Sequence, residues 1–277
     1  MAVGTPVWRE VRASYALVER NINLSKRYWG WELAFLLYTI AQSLAIVLTA
    51  NGVPSVSGSH IDTSRVVLYL AIGTLTWSYM ASLFAAIAES VQWERWEGTI
   101  EYTMMAPISR LTYMLGSCLF GVIYGLSRTA FVLVALMLMF HLQVDTSGLW
   151  PALIIVAVGS VSFVGIGIMA ATLPLLFTEK GAQMTYVIEA LLLLVSGVYY
   201  PISVLPFWMQ PVSHISPATY ILTGIRDALL PHSGAVSLTD NLIPLAIIGL
   251  VTVPLGVWVF GRAEHYAKRT GRLKRSG

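Results

Sequence analysis

The sequence predicts an all-α integral membrane protein. The expected parts are six transmembrane helices, an N-terminal amphipathic helix at the membrane surface, a short cytosolic helix between spans two and three, and a re-entrant outer hairpin after span five. Three observations lead there. Only 11% of the 277 residues are charged, against about a quarter in soluble domains. Apolar residues reach 56% of the chain, more than one soluble core of this size can hide. Those residues form six continuous runs near the roughly 20 needed to cross hydrocarbon, without the two-residue alternation of barrel strands.

The chain reads as one domain, residues 1–277, in three parts. Residues 1–29 lack an apolar core long enough for a cleavable signal. Instead Trp8, Val11, Tyr15, Val18 and Ile22 recur at steps of three and four, with Arg9, Arg12, Glu19, Arg20 and Lys26 between them. That pattern is a surface helix beside lipid headgroups. Residues 31–261 hold the spans: Trp31–Ala50, Val66–Ala88, Leu111–Phe140, Leu149–Phe177, Met184–Tyr200 and Leu242–Gly261. The fourth contains Pro151 and Pro174 and is expected to kink or break. Residues 262–277 form a basic cytosolic tail.

Orientation follows from Lys and Arg. Fourteen of them fall in the N-terminal segment, the loops after spans two and four, and the tail, whereas Arg65 and Arg226 stand opposite. Both termini are therefore expected in the cytosol of a cell whose cytoplasmic membrane holds the chain. A net charge of +3 gives little to neutralise nucleic-acid phosphates. The single cysteine, Cys118, excludes an internal disulfide.

The loop after span two concentrates carboxylates: Glu89, Glu94, Glu97 and Glu101 are four of the chain's 14 acidic residues. At steps of three and four, Glu94, Glu97 and Glu101 are expected on one helical face, with Trp93, Trp96 and Ile100 on another. Gly98 interrupts this helix and Pro107 ends it. After span five, Tyr200–Pro217 carries four prolines, and its run Ile202–Met209 is too short to cross. Exposed irregular backbone is not tolerated in lipid. Tyr200, Pro201, Pro206 and Trp208 are therefore expected in a hairpin dipping into the outer leaflet, with Trp208 at headgroup depth.

The run Glu94-Arg95-Trp96-Glu97-Gly98-Thr99-Ile100-Glu101, followed by Ala106-Pro107-Ile108-Ser109-Arg110, resembles the signature of type-2 ABC exporter permeases. Ser196-Gly197-Val198-Tyr199-Tyr200-Pro201, Ser216-Pro217 and Gly224-Ile225-Arg226 resemble a second signature of those permeases, and Arg262-Ala263-Glu264 a weaker third. The resemblance implies a permease that forms the path while a separate ATPase supplies energy. Two ATPase copies and a second permease copy, identical or related, are implied, with membrane lipids around them. No cofactor is expected in this chain; ATP and magnesium belong to the ATPase. The sequence contains no Gly-Lys dipeptide, hence no phosphate-cradling Walker A loop, and no catalytic role is expected. Glu94, Glu97, Gly98, Thr99 and Glu101 are the implied ATPase-coupling residues, in a coupling helix.

For the path, span two offers Thr76, Ser78 and Ser82, span three Arg128, and span five Glu189 and Ser196. Arg128 lies about 18 Å from Phe140, near the bilayer centre, where it needs partners. Helix carbonyls or hydroxyls such as Tyr124 or Ser127 are expected, an ion pair with Glu189 being the less favoured choice. Glu32 is expected as an interfacial anchor.

The expected cargo is a hydrophobic or amphipathic molecule such as a drug, antibiotic or lipid, a lipid-linked glycan or lipo-oligosaccharide being the alternative. An ion-coupled secondary transporter, with Arg128 and Glu189 as relay, lacks the repeated halves of such carriers. A membrane enzyme fits poorly: Asp62, Asp145, Asp227 and Asp240, and His60, His141, His214 and His232, read as scattered outer-loop residues.

Overall fold

The computed structural model describes residues 6–57, 63–106, 109–140, 148–177, 179–230 and 238–271. Pro107, Asp62, Asp145, His60, His141, His232 and the tail residues Arg272, Lys274 and Arg275 lie outside them. The helices in order are α1 Pro6–Arg27, α2 Trp29–Ser57, α3 Thr63–Glu97, α4 Ile100–Met105, α5 Arg110–Phe140, α6 Leu149–Ala170, α7 Thr172–Leu176 and α8 Gly181–Val195. After a 3₁₀ turn, Ile202–Val204, come α9 Gln210–Ile215, α10 Pro217–Leu229 and α11 Leu238–Arg269.

Five described stretches are long and apolar enough to cross a membrane: α2, α3, α5, α6 with α7, and α11. The fourth breaks where expected, at Ala171, three residues before Pro174. The fifth predicted span, Met184–Tyr200, needs correction. Its helix, α8, starts at Gly181 but stops at Val195 after 15 residues, about 22 Å at helical rise and short of the 30 Å hydrocarbon. Gly197, at φ +68°, turns the chain out of the helix.

α3 is the mast of the bundle. Of its most apolar stretch 72% is buried, against 17% for α2, α5 and α11. With α6, α10 and α11 it encloses the main core around Met80, Phe84, Phe163, Ile221 and Leu245. α6 and α11 come into close backbone contact at Gly165 and Gly256. Ser162 Oγ donates to the Leu245 carbonyl at 2.7 Å, and Thr252 Oγ1 to the Ser162 carbonyl at 3.2 Å. A Cβ at Gly165 would meet the Thr252 backbone, and one at Gly256 the Gly165 carbonyl. Small residues bring two backbones together where lipid offers no hydrophobic drive.

The short helix expected within 89–106 is not a separate element as far as Glu97. α3 runs unbroken for 35 residues, about 52 Å and some 20 Å longer than the hydrocarbon. Its last turns stay packed, with Val91, Gln92, Glu94 and Arg95 buried and with Arg20 of α1 and Phe260 of α11 close by. This end, carrying Arg9, Arg12, Arg20, Lys268 and Arg269, is called the basic end.

Candidate functional site: the elbow between the second and third spans

α3 ends in a hydrogen-bonded cap. The Thr99 N–H donates to the Glu94 carbonyl at 2.9 Å and the Gly98 N–H to the Arg95 carbonyl at 3.3 Å. Gly98 sits at φ +73°. These are the 6→1 and 5→2 bonds of a Schellman motif, which requires a left-handed residue where Gly98 stands. The chain then turns into α4, six residues long.

This turn overturns the single acidic face expected of Glu94, Glu97 and Glu101, because a left-handed residue lies between Glu97 and Glu101. Glu94 is 4% exposed and accepts Arg20 Nη2 of α1 at 2.9 Å. Glu97 stays exposed, Glu101 and Thr99 half-buried. The expected Trp93, Trp96, Ile100 face also divides. Ile100 is 2% exposed, packed in a cluster with Val91, Tyr113, Leu175 and Phe260, whereas Trp93 and Trp96 meet edge to face at 5.6 Å on the surface. Tyr102 and Met105 of α4 are exposed with them.

α1 braces the elbow from behind. The Thr112 hydroxyl and the Ser109 N–H of the α5 start donate to Glu10 Oε2. Ser14 Oγ donates to the Thr112 carbonyl at 3.5 Å. The Thr112 hydrogen bond, first, holds the Glu10 carboxyl below its ordinary pKa, helped by Ser109 and Arg9 against partial desolvation. Of the apolar face expected on α1, Trp8, Val11 and Tyr15 are exposed, whereas Val18 is 8% exposed and Ile22 half-buried, so that face divides between the surface and the bundle. α1 thus packs on α5 and, through Arg20, on α3.

At the opposite end, the segment after α8 folds as expected into irregular, proline-flanked turns. Tyr200 Oη donates to the Leu194 carbonyl, and Gln210 Nε2 to the Leu205 carbonyl at 2.9 Å. Pro201, Pro206 and Trp208 are exposed. The chain then forms α10, a helix where the sequence predicts outer-loop residues. Arg226, counted as an outer-loop charge, is instead 7% exposed on α10. Its guanidinium donates to the Gly197 carbonyl at 3.0 Å and to the Val198 carbonyl, and lies 3.6 Å over the Tyr69 ring. The helical spacing of Ala218, Ile221, Leu222 and Ile225, with Arg226 four residues after Leu222, was the available signal. Asp227 and Asp240, also read as loop residues, lie on α10 and in the first turn of α11.

The intramembrane residues do not gather at one point. Arg128 reaches the Phe35 carbonyl at 2.8 Å and the Thr39 hydroxyl on α2, and Tyr124 donates to Glu32. These partners are a carbonyl and a hydroxyl, as expected, but on α2 rather than on Arg128's own helix. Ser82 Oγ donates back to the Ser78 carbonyl at 2.7 Å, and Ser196 Oγ to the Leu192 carbonyl of its own helix. Thr76 is buried. Glu189 lines a small crevice between α3 and α8 with Glu89 and Tyr186, whose Oη donates to Glu89 at 3.5 Å.

The profile of the ABC-2 type transporter family matches residues 12–230. The inner membrane transport permease YadH of Escherichia coli K12 is 24% identical over 200 residues, covering 72% of this chain and 77% of YadH. The protein of that name from Shigella flexneri matches to the same extent. With the match running from α1 through the elbow to the end of α10, the chain belongs to the ABC-2 type transporter family, as a membrane permease component.

Proposed function

We propose that this chain is the permease subunit of an ATP-driven exporter, carrying a hydrophobic or amphipathic molecule outward across the cytoplasmic membrane. Two permease copies enclose the path, and two ABC ATPase subunits bind ATP and magnesium beneath them. The basic end is cytosolic, since α1 and the end of α11 gather their Arg and Lys there. α8, with the turns after it, makes the sixth crossing.

The observation that carries this reading is the elbow. α3 delivers it beyond the hydrocarbon, the Gly98 cap fixes its angle, Ile100 anchors it, and Trp93, Trp96, Glu97, Tyr102 and Met105 are left facing outward. An aromatic surface with a charged rim on a braced support suits a protein partner. Movement of ATPase subunits closing on nucleotide would rock α3 and α5 through it. Glu94 serves by holding α1, and Gly98 and Thr99 by shaping the turn.

The cargo reading rests on hydroxyl groups. Ser82 and Ser196 spend theirs on their own helix carbonyls, and Arg128 is occupied by α2. A lipid-linked glycan needs free hydrogen-bonding groups along its route, whereas an apolar cargo does not. The relay of an ion-coupled carrier is not assembled either: among the described residues no ion pair joins Arg128 to Glu189.

Affinity purification from native membranes tests the division of labour. The tagged chain is expected to bring down an ABC ATPase in equal copy number, and only the complex should hydrolyse ATP. Turnover by the isolated chain, or the lack of any ATPase in the complex, would overturn the reading.

A further inference from the structure

α11 is 32 residues long, about 48 Å, so its last turns stand beside the elbow beyond the hydrocarbon. There Glu264 is only 1% exposed, unusual for a carboxylate near a helix end. It accepts Lys268 Nζ at 2.7 Å, one turn on, and that same Nζ reaches the Met104 carbonyl oxygen at 3.4 Å. Met104 lies in the last turn of α4, where helix carbonyls lack intrahelical partners and the dipole favours a cation. Phe260 and Ala263 of α11 belong to the same apolar cluster as Ile100 of α4. The direct tie between α11 and α4 is the Lys268 contact.

The other end of α11 is tied as firmly. Asn241 accepts the Thr223 hydroxyl of α10 at 2.9 Å. Between the two ends, the Ser162 and Thr252 bonds fasten α11 to α6 along its length. One long helix thus joins the elbow to α10 at the far end of the molecule.

We propose that α11 is a second load path from the elbow, with Glu264 a positioning residue that holds Lys268 on the α4 terminus. A displacement of α4 then passes along α11 to α10, in parallel with α3. This rests on the reading of the elbow as the ATPase contact. Removing Lys268 should weaken the coupling between nucleotide and the far end while leaving the elbow packed on Ile100, since Lys268 itself is part-exposed.

The test uses the tagged chain with its co-purified ATPase in proteoliposomes, and Ile215→Cys, an exposed position on α9, as the reporter. Cys118 is the chain's one cysteine and is buried, so it is a silent background. Labelling by a membrane-impermeant maleimide is timed without nucleotide and after trapping with ATP and vanadate. Relative to the parent, Lys268→Met and Glu264→Gln should shrink the nucleotide-dependent change per ATP hydrolysed about threefold to tenfold. Lys268→Arg should restore it, and nucleotide-free labelling should match the parent throughout. A full change in both variants overturns the proposal, as does altered nucleotide-free labelling, which indicates a merely structural contact. No nucleotide-dependent change in the parent refutes the ATP-driven reading itself, and the load path falls with it.

Discussion

Replacing Gly98 probes the angle of the elbow, because glycine has no side chain of its own to lose. A non-glycine residue at φ +73° costs about 1–2 kcal/mol in the left-handed region. The chain escapes that strain only by continuing α3 as a helix through residue 98. Escape would break the 2.9 Å Thr99–Glu94 bond and the 3.3 Å Gly98–Arg95 bond, worth about 1 kcal/mol each. It would also swing Ile100, now 2% exposed, out of its cluster, a loss of about 1.5–3 kcal/mol. The escape is the costlier option, so Gly98→Ala keeps the elbow and carries about 1–2 kcal/mol of strain. Gly98→Asn should lose least, since asparagine tolerates the left-handed region, and Gly98→Val most. The assay is chemical denaturation of the purified protein in detergent, with hydrogen exchange across 98–106 reporting whether the elbow holds. Equal stability of the Ala, Asn and Val variants, or a gain for Ala, would refute the argument.

Three further outcomes follow from the contacts around the elbow and the bundle. Arg20→Ala leaves the Glu94 carboxylate buried without its cation and should cost about 1–3 kcal/mol, between the exposed and the fully buried case; a double-mutant cycle with Glu94→Gln should recover part of it, and additive losses would disprove the pair. Because hydrogen bonding lowers the Glu10 pKa in the folded protein, its contribution to α1 docking is present above the ordinary carboxylate pKa and is lost as pH falls through the lowered one. Proteolytic nicking of α1 should therefore rise on acidification in that window, and Glu10→Gln should abolish the dependence. Gly165→Leu drives a side chain into the Thr252 backbone and should destabilise by about 1–3 kcal/mol or more through overpacking; denaturation no different from the parent would contradict the α6–α11 seam.

The apolar runs made the long helices legible because lipid demands both length and continuity of apolar residues. Pro174 marked the broken fourth span, and Gly98 the end of the elbow helix. What escaped the sequence has a physical cause in each case. Glu89 was read as the exit from the membrane and so from the helix, but a helix stops where its backbone bonds stop, not where lipid does; α3 continues to its cap at Gly98. The apolar run to Tyr200 hid the end of α8, because apolarity reports burial and not backbone conformation. Arg226 was placed in a loop for its charge, though two carbonyls and the Tyr69 ring hold it inside. The partnership of Glu94 with Arg20, 74 residues apart in sequence, depends on tertiary packing that no local pattern records.

Site-specific cross-linking from the elbow addresses the central claim most directly. A photoreactive residue replacing Tyr102, which is 75% exposed on α4, should form an adduct with an ABC ATPase polypeptide in native membranes. The same probe at Trp208, at the far end, should form none. An ATPase adduct from Trp208, or none from Tyr102 in a transport-competent cell, would contradict the account.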